Sequence, residues 1–389
     1  MYTLLTDRSI SDGKTYDNRI FTIKNKWIHD IKSSANFDNL TGEMVDLRGL
    51  TVLPGLIDIH THGGIGHDIM TALPEDINAF SVFKLEEGVT SFFPATITAP
   101  LEATRDAIAN ISAAISKGTD GAKIAGILLE GPFLNPEYKG AHLEQYLKPN
   151  INLDELASLI LAAKLAIPDG CINITIAPEL ENAIEAIASL TMQGINCCIG
   201  HSSATCEQAR VGIQAGAKIA THLYNAMTPL HHRNPGVVGA VLSTESIWAE
   251  IICDLVHVHP TAIKTAVMAK GPEKTVLITD SVAAAGLPDG GYAVGDVRVI
   301  MKDGVCRTPD GNLAGSSVRL IDCVRNMHEK VGVSFADAVT MATIAPARAI
   351  GLDASIGSLE KAKNADIIAI DDNFNVRFVM VDGVIKKPL

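Results

Sequence analysis

The stretch Pro54-Gly55-Leu56-Ile57-Asp58-Ile59-His60-Thr61-His62-Gly63-Gly64 runs an apolar segment into two histidines spaced i, i+2. Side chains two apart in a β-strand share a face, so a strand ending here points His60 and His62 to the same side. Two imidazoles converging beside glycines supply half of a metal site. Standing alone, the pair is explained equally well as ordinary surface histidines at a strand end. Later strand ends decide between the two readings, because ligand-type residues recur there.

Outward from this stretch, apolar strand candidates alternate with helical patterns. The strand candidates are Gly55 to His60, Val89 to Ala95, Ile124 to Glu130, Ile172 to Ala177, Asn196 to Gly200, Lys218 to His222, Trp248 to Cys253 and Thr275 to Asp280. Helical periods lie between them, as in Leu180 to Met192, Cys206 to Ala215 and Pro260 to Ala269, the last with proline at a favourable first-turn position. Such alternation implies parallel strands joined by helical crossovers. The prediction is an α/β fold in which residues 55–345 form a (β/α)8 barrel, with its chemistry at the C-terminal strand ends.

Residues 1–54 and 346–389 read differently. Arg19 to Lys24 and Trp27 to Ile31 alternate, as do Ala365 to Ile370 and Val376 to Val381, with Asp382-Gly383 as a hairpin turn. Strand-rich ends around a different middle predict one small β-sandwich domain built from both termini, against the plainer alternative of two unrelated flaps. Gly286 to Asp310, rich in glycine and strand formers, reads as a flap inserted after the eighth strand.

Composition narrows the function. A hydrophobic content of 47% with 20% charged residues describes a well-packed globular chain. The net charge of -12 leaves no basic footprint, so nucleic acid is not an expected partner. Met1 to Arg8 shows no basic region followed by an apolar core, and no apolar run approaches the roughly 18–20 residues of a membrane span, so neither a secretory signal nor a membrane partner is expected. Seven cysteines without C-x-x-C spacing predict reduced thiols in a cytoplasmic protein, with Cys197 and Cys198 as core packing.

At the strand ends the chain places His60 and His62, then Glu130, His201, His222 and Asp280. Each has an ordinary explanation by itself: a helix-start acid, a structural imidazole, a cap. All six at one rim of one barrel point to metal. Four imidazoles with two carboxylates suit Zn2+ or Fe2+ better than Mg2+ or Ca2+. Six ligand groups exceed what one tetrahedral ion needs, so one or two ions per chain are expected.

Pro54 to Gly64, Leu129-Glu130-Gly131-Pro132-Phe133, Gly200-His201-Ser202, Thr221-His222-Leu223-Tyr224-Asn225-Ala226-Met227 and Ile278-Thr279-Asp280 together resemble the amidohydrolase superfamily. Within it they resemble the N-acetylglucosamine-6-phosphate deacetylases, essentially from end to end. That resemblance implies Glu130, His201 and His222 as ligands of one ion. Some members replace the strand-one histidines with glutamine and asparagine. This chain keeps both, which implies the binuclear branch, with His60, His62 and Asp280 on a second ion and Glu130 bridging.

Asp280 also matches the family's general acid/base. The chemistry asks for one, since an amide is a poor electrophile and its amine a poor leaving group until protonated. By the same resemblance, His142 contacts the substrate near its carbonyl or a sugar hydroxyl, and the amides of Asn225 and Ala226 hold the phosphate, as N–H groups at a helix start would. Arg233 and His257 match further phosphate and sugar contacts that can reach the site from a neighbouring subunit, implying a homodimer. Leu313, Ala314, Gly315 and Ser316 match a loop over the sugar, although a plain hairpin after Asp310-Gly311 explains them equally. His231 and His232 receive no role.

The expected activity is metal-dependent hydrolysis of N-acetylglucosamine 6-phosphate to glucosamine 6-phosphate and acetate, with a small sugar phosphate as partner. Alternatives are the N-acetylgalactosamine 4-epimer, a dihydroorotase-like or aminoacylase-like hydrolysis, and a non-catalytic sugar-phosphate binder. The phosphate set argues against the second. The third usually shows a lost ligand or a lost strand-eight aspartate, and this chain keeps them all.

Overall fold

Gly55 is the junction of two sheets in the computed structural model, which describes residues 1–33, 41–168 and 170–389. Upstream, Thr51–Pro54 pairs antiparallel with Ile367–Ile370; downstream, Leu56–Thr61 pairs parallel with Val89–Thr96. A Cβ on residue 55 would lie 2.0 Å from Thr90 Oγ1, so the crossing requires glycine.

The barrel strands follow in chain order: Leu56–Thr61, Val89–Thr96, Gly126–Glu130, Cys171–Ile176, Asn196–Ile199, Ile219–Ala220, Trp248–Ile252 and Thr275–Ile278. The ring closes where the Asp280 amide donates to the His60 carbonyl at 2.9 Å and Thr61 bridges Ser281 in parallel. Buried on both sides, these strands read as apolar runs, and every residue of Val89–Thr96 is buried. Two boundaries differ from the sequence reading. The third strand is preceded by a separate short strand, Lys123–Ile124, and the sixth has only two residues because the chain turns before His222, whose φ is +31°.

Helices begin where local capping allows. Asn152 accepts from the amides of Asp154 and Glu155, and Thr205 with Gln208 forms a capping box. The fourth-strand helix starts at Ala183 rather than Leu180, since Asn182 is left-handed at φ +66°. Beneath the strand-one and strand-eight seam lies a buried ionic cluster. Lys84 donates to Asp58 at 2.9 Å and to Glu87 at 2.7 Å, while Asp58 also accepts from the Thr279 hydroxyl at 2.6 Å.

The second sheet has eight strands, with Tyr2–Ser11 pairing antiparallel to Lys14–Lys24 on one side and parallel to Glu43–Asp46 and Thr51–Pro54 on the other. It extends through Ile367–Ile370 to the hairpin Val376–Val381 and Val384–Lys387. Leu4, Phe21 and Ile28 from the N-terminal strands share one apolar core with Ile367, Phe378 and Met380. Both termini therefore build a single β unit beside the barrel, as expected. The inserted flap is a three-stranded antiparallel sheet, Gly290–Val294, Val297–Lys302 and Val305–Arg307, whose Val294, Val299 and Met301 pack on Ile97 and Val282 of the barrel. All seven cysteines are free thiols, and no helix of the described residues is long and apolar enough to cross a membrane.

Candidate active site

Barrel closure delivers the ligand-type side chains to one rim. His60 lies one residue before the end of the first strand, while His201, His222 and Asp280 each sit just beyond a strand with positive φ, at +48°, +31° and +48°. A non-glycine residue in the left-handed region is uncommon, and three at one rim mark a constrained functional site. Here the left-handed step turns each side chain back over the barrel mouth.

Two donor sets result. His60 Nε2 lies 3.2 Å from His62 Nε2 and 3.5 Å from Asp280 Oδ1, and His62 Nε2 lies 3.3 Å from the same oxygen. His201 Nε2 lies 3.1 Å from His222 Nε2, and Glu130 Oε1 is 3.3 and 3.2 Å from those two atoms. Glu130 also faces the first set, with Oε1 3.5 Å from His60 Nε2 and Oε2 3.2 Å from His62 Nε2. It stands between the two sets.

The outer ring nitrogens set two tautomers. His201 Nδ1 donates to the Tyr138 carbonyl at 2.9 Å, leaving Nε2 as its inward lone pair. His142 is reversed. Its Nδ1 accepts from the Thr98 amide at 3.3 Å, so the proton rests on Nε2, 3.3 Å from Glu130 Oε2. Glu130, His142 and His201 also lie close enough to share an ion, but this tautomer makes His142 a hydrogen-bond donor rather than a ligand.

Burial works against charge throughout the cluster, yet mutual attraction wins at most members. Burial would raise the Glu130 carboxyl, but His60 and the neighbouring His142, His201 and His222 imidazoles hold it well below the usual range. Asp280 is held at about 2 against burial by His60 and His62, and His62 is lifted to about 9 against burial by Asp280 and Glu130. His142 goes the other way, to about 4, because burial and His201 outweigh Glu130. Buried carboxylates facing imidazole nitrogens 3.1–3.2 Å apart call for a shared positive charge in the middle. Both donor sets therefore fit a divalent cation, with imidazole and carboxylate donors on each.

A cavity of about 420 Å3 opens over the cluster. Its wall includes His62, Glu130, His142, His201, His222 and Asp280, and further out Asn225, Ala226, His257, Leu313, Ala314 and Gly315. His60 is fully buried behind this wall. Ser316 is also behind it, its hydroxyl donating to the Thr279 carbonyl at 2.5 Å, so it anchors the loop rather than facing the cavity. Arg233 does not line this cavity. It lines a separate groove with Ser203 and Pro235, its Nη1 2.7 Å from His232 Nε2. The helix start expected at Asn225 and Ala226 is absent; they lie in a turn, and the next helix begins at Gly236. In its place His222, Tyr224 and Ala226 have positive φ, and alternating left-handed steps of this kind form anion-binding backbone nests.

Sequence reasoning missed Tyr138, Thr98 and Lys139, the last a cation on the cavity wall, and it missed Glu250, which faces His60 Nδ1 at 3.2 Å. An acid within the apolar run Trp248-Ala249-Glu250-Ile251-Ile252 was the available signal for the last.

Comparison with known proteins agrees with this geometry. The amidohydrolase family model matches residues 51–386. N-acetylgalactosamine-6-phosphate deacetylase of Escherichia coli O157:H7 is 40% identical over 330 residues, 85% of this chain and 86% of that protein. N-acetylglucosamine-6-phosphate deacetylase of Vibrio furnissii is 39% identical over 341 residues, covering 88% and 84%. The crystal structure of N-acetylglucosamine-6-phosphate deacetylase from Pasteurella multocida superposes with a TM-score of 0.92 at 30% identity, covering 99% of both chains.

Proposed function

The chain belongs to the amidohydrolase family, and on that premise we propose that it hydrolyses N-acetylglucosamine 6-phosphate to glucosamine 6-phosphate and acetate. The observation that carries the reading is the double donor set around Glu130, with Asp280 beside it at the floor of a cavity of sugar-phosphate size. His60, His62 and Asp280 would hold one divalent ion and Glu130, His201 and His222 another, with Zn2+ or Fe2+ favoured by the imidazole content and one or two ions per chain. The chemistry supplied by such an ion when bound is polarisation of the amide carbonyl and acidification of the attacking water.

The chain's own groups do the rest. The Asp280 carboxylate accepts a proton as water attacks and returns it to the departing nitrogen. His142, neutral with its proton on Nε2, donates a hydrogen bond toward the carbonyl oxygen. The turn at Asn225 and Ala226 receives the phosphate, and His257, pinned by Asp254 at 2.6 Å, stands beside it on the cavity wall. Leu313 to Gly315 cover the sugar. Arg233, which lines a groove apart from this cavity, would serve the cavity of a neighbouring copy in a homodimer, as the family resemblance implies. The seven free thiols suit the reducing cytoplasm.

A second reading, the galactosamine epimer, is favoured by the name of the relative at 40% identity. Acetate release measured on the two 6-phosphate epimers and on unphosphorylated N-acetylglucosamine tests both. The gluco 6-phosphate is expected to react fastest; a faster galacto epimer assigns the second reading, and no release from either removes both.

A further inference from the structure

Glu250 lies within the seventh barrel strand, Trp248–Ile252, only 1% exposed. No lysine or arginine pairs with it among the described residues; its one ion-pair contact is His60. Burying a carboxylate without a cation is costly, so something at this position offsets the cost. Its Oε2 is 3.2 Å from His60 Nδ1 and also accepts from the His222 amide at 3.4 Å, while Oε1 has no partner. A carboxylate only accepts, so the proton of His60 belongs on Nδ1. The lone pair is then on Nε2, the atom facing His62, Glu130 and Asp280. The same oxygen meets the backbone at the left-handed turn that aims His222 into the other set.

We propose that Glu250 is a positioning residue that makes His60 a ligand through Nε2 and seats the His222 turn, so that one strand-seven carboxylate organises both donor sets. The inference rests on the divalent-metal reading above. The two histidines without an outer partner, His62 and His222, gain their orientation from neighbours, whereas His60 gains it from this side chain. Carboxylate, imidazole and metal in a row is a general device for fixing tautomer and raising ligand basicity.

The experiment compares wild type, Glu250→Gln and Glu250→Leu by metal retained per chain during dialysis against a graded chelator, alongside kcat and KM. Glu250→Leu is expected to release one class of bound ion at about 10–100-fold lower chelator strength. Glu250→Gln, which still offers Nδ1 an acceptor oxygen, should fall between leucine and wild type. A purely packing role would instead give the near-isosteric glutamine variant the wild-type profile. A leucine variant whose release profile superimposes on wild type overturns the proposal. If leucine prevents folding, the near-isosteric glutamine variant carries the test, and an unshifted profile there overturns it equally. Wild-type protein that binds no ion removes the metal reading itself, and this inference with it.

Discussion

At the residue scale, the site depends on which nitrogen of each histidine carries the proton. His142 accepts at Nδ1 from Thr98, so it offers a donor, whereas His201 donates at Nδ1 to Tyr138 and offers a lone pair. Replacing His142 with phenylalanine should keep bound metal yet lower kcat by about 100–1000-fold, the range for losing one hydrogen-bond donor to developing charge. Loss of metal with activity in that variant would instead make His142 a ligand. Asp280→Asn should retain most metal while turnover falls about 100–10,000-fold, and near-normal turnover would remove Asp280 from proton transfer. The side chains that converge inward were legible because strand period two and ligand chemistry coincide at strand ends. Their outer partners were not. Glu250 is 190 residues from His60 in sequence, and only barrel closure brings them together.

At the element scale, the barrel is closed by a seam between first and eighth strands that carries both His60 and Asp280. Asp58 ties that seam to the first helix, accepting from Thr279 on one side and from Lys84 on the other. Removing the cation leaves two buried carboxylates facing each other. Lys84→Met should therefore destabilise the chain by about 3–5 kcal/mol in urea unfolding, and a loss close to zero would show that the cluster contributes no more than apolar packing would. Sequence reading found the strands from their apolar runs and the crossover helices from their period. It misjudged the sixth strand and the turn at Asn225 and Ala226 for one reason: Thr221 to Met227 reads as strand followed by helix, but left-handed steps at His222, Tyr224 and Ala226 keep it from being either. Propensity reports average conformation, and these residues are held in a rare one by the site.

At the scale of the whole molecule, both termini build one small β domain, and alternation at the two ends of the chain was enough to anticipate that. The placement of Arg233 was not legible, since a loop arginine has no periodicity to read. Its distance from its own cavity leads to a complementation test. Under the proposed homodimer, Arg233→Ala and Asp280→Asn chains, each weak alone on the 6-phosphate substrate, should regain activity when mixed and reassorted, because a hybrid dimer would hold one site with both residues intact. No recovery on mixing would return Arg233 to a surface role. The account as a whole stands on acetate release from N-acetylglucosamine 6-phosphate, followed in one preparation as purified, after chelation, and after Zn2+ or Fe2+ is restored with bound metal counted. It predicts turnover that disappears with the metal and returns with it. Metal-replete protein that releases no acetate, or release that persists unchanged after complete chelation, would contradict it.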